Sequence, residues 1–131
     1  MYVLDTNTLV YFFRGQGKVA EHLMAIPPIQ IAIPAVTVYE LEVGIAKSSQ
    51  PAKRRQQFDK LLDTVRVLPF DKAAASAAAA VRSALEKAGQ PIGPLDTLIA
   101  GTTLACRAIL VTHNTREFKR VSKLTVVDWY H

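Results

Sequence analysis

Short apolar runs alternate along this chain with longer stretches in which apolar residues recur every three or four positions. Tyr2-Val3-Leu4 is a short run that reads as a buried strand, and Asp5-Thr6-Asn7 breaks it. Leu9, Val10, Phe12 and Phe13 then have helical spacing, closed by Gly15 and Gly17. A second short helix is expected from Val19 to Ala25, ahead of Pro27-Pro28. Ile29 to Ile33 alternates apolar and polar residues and carries β-branched side chains, which predicts a second strand stopped by Pro34.

Thr37 to Lys47 places Val38, Leu41 and Ile45 at helical intervals. Gln50-Pro51 is a hinge, and Ala52 to Asp63 is a further amphipathic helix that turns Phe58, Leu61 and Leu62 inward. Arg66-Val67-Leu68 is a third short strand. Asp71 caps an alanine-rich helix running to Ala88, where Gly89 stops it. Gly93-Pro94 opens a helix to about Arg107, since proline suits a first helical position. Ile109-Leu110-Val111 is a strand, Arg116 to Arg120 a helical turn, and Thr125-Val126-Val127 the last strand. Strands that alternate with helices imply an α/β fold, a mostly parallel central sheet flanked by helices. No repeat, low-complexity tail or long linker divides the chain, so residues 1–131 read as one domain.

Composition narrows the picture. The hydrophobic share is 50% and the charged share 21%, as in soluble globular chains. A formal net charge of +5 favours a polyanionic partner such as nucleic acid without requiring one. Cys106 has no partner for an internal disulfide, which suits a reducing cytosol, and its setting in Leu104-Ala105-Cys106 reads as core. No basic leader precedes Tyr2-Val3-Leu4. The longest apolar stretch, Ala73 to Val81, is too short and too alanine-rich to cross a bilayer. The expected location is cytoplasmic, with no membrane partner.

Four acids carry the candidate chemistry, and each also has an ordinary structural explanation. Asp5 directly follows the first strand, where open parallel sheets place a ligand crevice, but it is also a good helix N-cap. Glu40 lies three residues after Thr37, as in a capping box, yet also in the first turn after the second strand. Asp96 opens the helix after Gly93-Pro94, where the macrodipole favours an acid regardless of function. Glu117 follows the strand Ile109 to Val111 and taken alone is a solvated surface charge. Together they can all reach one edge of the sheet. Several carboxylates that close cannot all ionise without a cation between them. Hard oxygen donors point to Mg2+ or Mn2+ rather than zinc. His22, His113 and His131 have no zinc-like spacing, and His113 reads as a structural or edge residue rather than a ligand.

Val3-Leu4-Asp5-Thr6-Asn7, Val36-Thr37-Val38-Tyr39-Glu40-Leu41 with Gly44, Gly93 to Gly101, Val111 to Phe118 and Val127-Asp128-Trp129 together resemble the PIN-domain ribonucleases. Among these the closest likeness is to the VapC toxins of type II toxin–antitoxin pairs. The resemblance covers nearly the whole chain. It implies a PIN-like fold, a Mg2+- or Mn2+-dependent endoribonuclease that uses a metal-activated water, and inhibition by a VapB-type antitoxin. It carries the metal and catalytic site onto Asp5 and Asp96, with Glu40 and Glu117 completing the quartet. Many PIN domains have aspartate where this chain has Asn114, so the resemblance implies that the fourth carboxylate either comes from Glu117 or is missing, and the site holds two metals or one accordingly. Asn7, Thr112 and Asn114 match polar positions that orient the ligands. A homodimer, or a higher toxin–antitoxin assembly, is the state the family implies. Likeness of Gly93–Gly101 and Thr112–Val121 to enteric relatives implies initiator tRNA as the RNA target.

Positive charge must surround an acidic site that cuts RNA. Arg116, Lys119 and Arg120 are the first candidates, and Lys53, Arg54 and Arg55 the second, against the alternative of solvated helix faces. Tyr39 would stack on a base or belong to the core. Two other readings stay open. Asp5-Thr6-Asn7-Thr8 resembles the Asp-x-Asp-x-Thr motif of haloacid dehalogenase-like phosphohydrolases, with Asn7 where the second acid belongs. A non-catalytic nucleic-acid-binding module, whose acids merely cap helices, is the other.

Overall fold

The computed structural model describes residues 1–131. Its strands are β1 (Tyr2–Leu4), β2 (Ile31–Pro34), β3 (Arg66–Leu68), β4 (Ile109–Val111) and β5 (Thr125–Val127). They form one sheet in the order β3-β2-β1-β4-β5, and every pairing is parallel. In register, Tyr2 lies between Ile31 and Ile109. The helices are α1 (Thr6–Arg14), α2 (Val19–Ala25), α3 (Ala35–Ala46), α4 (Pro51–Leu62), α5 (Lys72–Lys87), α6 (Pro94–Ala105) and α7 (Thr115–Phe118). The α/β architecture expected from the alternating pattern is therefore borne out. No helix is long and apolar enough to cross a membrane.

Both faces of the sheet are covered over its inner strands β1, β2 and β4, which are therefore continuous apolar runs rather than alternating ones. Val3 and Leu110 point into one core with Val81, Leu85, Ile99 and Phe118, from α5, α6 and α7. Their neighbours Leu4 and Val111 point into the other with Leu9, Val19, Phe58 and Trp129, largely from α1, α2 and α4. Each large side chain buried this way contributes about 1.5–3 kcal/mol. The second strand shows the same rule as a correction. It starts at Ile31 instead of Ile29, and all four of its residues are buried. Ile29 belongs to a 3-10 turn over Pro28–Gln30 and is exposed. Its apparent alternation with Gln30 was a turn, not a pleat.

Two local features place α6. Ala74, Ala78, Val81 and Leu85 form the buried stripe of α5. Gly101 of α6 lies so close that a Cβ there would sit 2.5 Å from Ala78 Cβ. Small residues on both helices thus set their separation, and with it the position of the α6 N-terminus. Cys106, expected in the core, is exposed instead because α6 ends there and the chain turns out toward β4.

Candidate active site

From β1 the chain moves outward through β2 and β3, then returns to the other side of β1 for β4 and β5. The carboxyl ends of β1 and β4 are therefore the switch point at which a doubly wound sheet opens a crevice. Asp5 follows β1 there and is only 3% exposed. Thr112 follows β4, and its Oγ1 donates to Asp5 Oδ2 at 2.6 Å across the switch point. The Thr8 amide donates to Asp5 Oδ1 at 2.9 Å, so Asp5 also caps α1. The cap and the crevice position are two uses of one side chain. Thr8 Oγ1 in turn donates to the Val111 carbonyl at 3.1 Å, tying α1 to β4.

Glu40 reaches the same edge from α3. That helix starts at Ala35, with Pro34 as N-cap and no side-chain capping bond. Thr37 is consequently inside the helix and fully buried, and the Thr37-x-x-Glu40 capping box does not form. Glu40 Oε1 accepts from Thr6 Oγ1 at 2.6 Å instead, which anchors the carboxylate to the first residue of α1. Asp96 stands in the first turn of α6, entered through Gly93 and Pro94. A Cβ on Gly93 would lie 3.3 Å from Asp96 Oδ2, so the missing side chain leaves room for the carboxylate. Glu117 is half-buried in the short α7, after β4.

The four carboxylates are electrostatically coupled. Burial, followed by repulsion from Asp5, Glu40 and Glu117, raises the Asp96 carboxyl to about 6. Burial also pushes Asp5 up, helped by Glu40 and opposed by the bonds from Thr112 and Thr8. No basic side chain pairs with any of the four. The ion pairs of the chain join Arg55 to Glu42 and Asp59, Arg82 to Glu86, and Asp128 to His113 and His131. Unpaired, mutually repelling oxygen donors fit a hard divalent cation, which would offset the repulsion. The acidic set stands somewhat open: the residues that bring three potential ligand atoms within 4.8 Å of one another are His113, Asp128 and His131.

Other candidates are placed less uniformly. Asn7 is exposed and takes no part in these bonds, whereas the hydroxyls on either side of it, Thr6 and Thr8, do the holding. Those two threonines were missed from sequence, although Asp5-Thr6-x-Thr8 in a first helical turn supplies the signal. Asn114 acts through its backbone, its amide donating to Thr112 Oγ1 at 3.0 Å, and its side chain makes no cap bond. Arg116 and Lys119 are exposed. Arg120 Nη1 donates to the Pro91 carbonyl at 3.2 Å, bracing the loop that leads to α6. Arg54 is held by Phe13 and Gln57, and Arg55 by Glu42, which leaves Lys53 as the free cation of that group. Tyr39, beside Glu40, is 60% exposed and so is not a core residue.

A parallel α/β sheet with four coupled, unpaired carboxylates at its switch point is the framework of an acidic-site hydrolase. Residues 2–124 match the PIN domain family, and the chain belongs to that family, among the VapC ribonucleases. It is 33% identical over 128 residues to the tRNA(fMet)-specific endonuclease VapC of Shigella flexneri, covering 98% of this chain and 97% of that one. The structure superposes with a TM-score of 0.91 on VapBC2 of Rickettsia felis bound to a DNA fragment from their promoter, at 31% identity and 98% coverage of both chains. DNA-bound VapBC of Salmonella typhimurium gives the same TM-score, 0.91, at 29% identity, with 98% and 97% coverage.

Proposed function

We propose that this protein is the toxin of a VapBC-type pair, a cytoplasmic endoribonuclease built as one PIN domain over residues 1–131, with Asp5, Glu40, Asp96 and Glu117 as its cation site. The observation that supports this most strongly is the quartet's lack of any basic partner, together with an Asp96 carboxyl raised to about 6 by burial and by the other three acids. Acids that merely cap helices would not be gathered from four elements into mutual repulsion. The haloacid dehalogenase reading fails on the same geometry. Both oxygens of Asp5 accept hydrogen bonds, and the exposed Asn7 stands where a second acid is needed.

When bound, Mg2+ or Mn2+ supplies a water of lowered pKa and offsets charge on the phosphodiester as it is attacked. The residues do the rest. Thr112 and the Thr8 amide hold Asp5 in one orientation, and Thr6 holds Glu40. Below about pH 6 Asp96 holds a proton that must leave when a cation arrives, so cation affinity rises with pH through about 6. Arg116 and Lys119, exposed on and just after α7, draw the RNA backbone toward the carboxylates. Attack by water rather than by a 2′-hydroxyl leaves 5′-phosphate and 3′-hydroxyl ends.

A VapB-type antitoxin is the partner, and the toxin pairs as a homodimer within the larger complex. Initiator tRNA is the proposed target, following the similar Shigella enzyme. A pulse of expression followed by sequencing of cleaved RNA ends tests this. One dominant cut in initiator tRNA, suppressed by co-expression of the antitoxin, is expected. Cuts spread over messenger RNA with initiator tRNA intact would overturn the target assignment.

A further inference from the structure

The chain holds a second group of cation donors, which includes His113, the residue next to Thr112. His113 Nδ1 lies 2.9 Å from Asp128 Oδ2, and His131 Nε2 lies 3.7 Å from that same oxygen. One donor atom from each residue falls within 4.8 Å of the other two. Around tetrahedral zinc, with bonds of about 2.0–2.2 Å, donor atoms sit roughly 3.4 Å apart, so small side-chain shifts close the set. None of the three belongs to the acidic quartet. Their positions in sequence carry no zinc-like spacing, because the fold brings the turn after β4 against the residues after β5.

The surroundings hold these donors in place. The Tyr130 amide donates to Asp128 Oδ1 at 2.9 Å, leaving Oδ2 directed at the two histidines. The His113 ring stacks on Tyr130 with centroids 4.3 Å apart and meets Tyr11 edge-on at 5.6 Å. The segment after Asp128 is itself fastened: the Lys18 amide donates to the Tyr130 carbonyl at 2.8 Å, and His22 Nε2 lies 3.0 Å from the His131 carbonyl. The His131 side chain is 77% exposed, which gives an ion a way in.

We infer that His113, Asp128 and His131 form a second cation site, selective for a borderline transition ion of the Zn2+ type and separate from the acidic one. Two imidazole nitrogens and one carboxylate match zinc, while Mg2+ prefers an all-oxygen shell. Three protein donors leave the fourth position to water. An ion there joins the segment after β5 to the turn after β4, and so stiffens the peptide that carries Thr112, the hydroxyl that holds Asp5.

The test is a calorimetric titration of Zn2+ into the untagged full chain, with excess Mg2+ present to occupy hard-oxygen sites. One equivalent of Zn2+ is expected to bind to the wild-type chain and equally to Asp96→Asn/Glu117→Gln, and to raise the melting temperature of both. His113→Ala and His131→Ala are each expected to weaken Zn2+ binding by at least ~10-fold. The exposed His131 can be truncated without touching the core, so that variant stays informative if His113→Ala folds poorly. Absence of Zn2+ binding, binding lost with the acidic residues, or unchanged binding in His131→Ala would each overturn the assignment.

Discussion

Replacing Asp96 by asparagine should abolish cleavage and at the same time stabilise the cation-free protein. The Asp96 carboxyl is raised from 3.8 to about 6, first by burial and then by Asp5, Glu40 and Glu117. A raised carboxyl means that the folded state holds the proton more firmly than the unfolded chain does. Ionisation of Asp96 therefore costs stability. The cost is absent below about pH 4, where both states are protonated, grows as pH rises, and is complete above about pH 6. A shift of this size corresponds to about 3 kcal/mol at 1.36 kcal/mol per pKa unit. Asp96 is only half-buried, so solvent screening leaves roughly 1–2 kcal/mol. Asparagine keeps the size of the side chain and removes the charge. In EDTA at neutral pH, Asp96→Asn should melt roughly 3–8 °C above the wild-type protein. The gap should close toward pH 4, and Mg2+ should narrow it at neutral pH by stabilising the wild-type protein more. The assay is thermal melting followed by circular dichroism across this pH range, with and without Mg2+. A variant that melts below wild type in EDTA at neutral pH, or a gap that does not change with pH, would refute the electrostatic argument.

Three further outcomes follow from the same geometry. Thr6→Val removes the hydroxyl that holds Glu40 and should lower metal-dependent cleavage ~10- to 100-fold, with melting changed by less than about 1 kcal/mol; equal activity would remove Thr6 from the site. Gly101→Ala drives a Cβ into Ala78 and should destabilise by about 1–3 kcal/mol or more in denaturant unfolding, shifting the midpoint with little change in slope. Arg116→Ala and Lys119→Ala should each weaken RNA binding and reduce the slope of log affinity against log salt by about 0.7, as measured by fluorescence anisotropy.

Much of the fold was legible because each strand is a short apolar run between strong breakers. Tyr2–Leu4, Arg66–Leu68, Ile109–Val111 and Thr125–Val127 have the bounds their sequences predict. What could not be read was which polar group each residue would meet. Thr37 and Glu40 have the spacing of a capping box, but Pro34 starts the helix two residues earlier than expected, which buries Thr37 and frees Glu40 for Thr6. Asn7 stood out as a match to a motif, while Thr6 and Thr8, one on each side, make the bonds, because a helix turns successive residues about 100° apart. Cys106 lies in an apolar run, yet it is exposed at the point where α6 ends. The pairing of His113 with Asp128 and His131 depends on the crossing of two chain segments, and no local pattern encodes it.

The central claim is that four carboxylates at the switch point hold the cation that makes this chain a ribonuclease. Its most direct measurement is cleavage of RNA by the purified protein in Mg2+, in EDTA, and with Asp5→Asn or Asp96→Asn, with the ends of the products identified. Mg2+ should give 5′-phosphate and 3′-hydroxyl ends, EDTA should stop cleavage, and either variant should lose ~100-fold or more of the activity. Cleavage that persists in EDTA, survives both substitutions or leaves a 2′,3′-cyclic phosphate would contradict the claim.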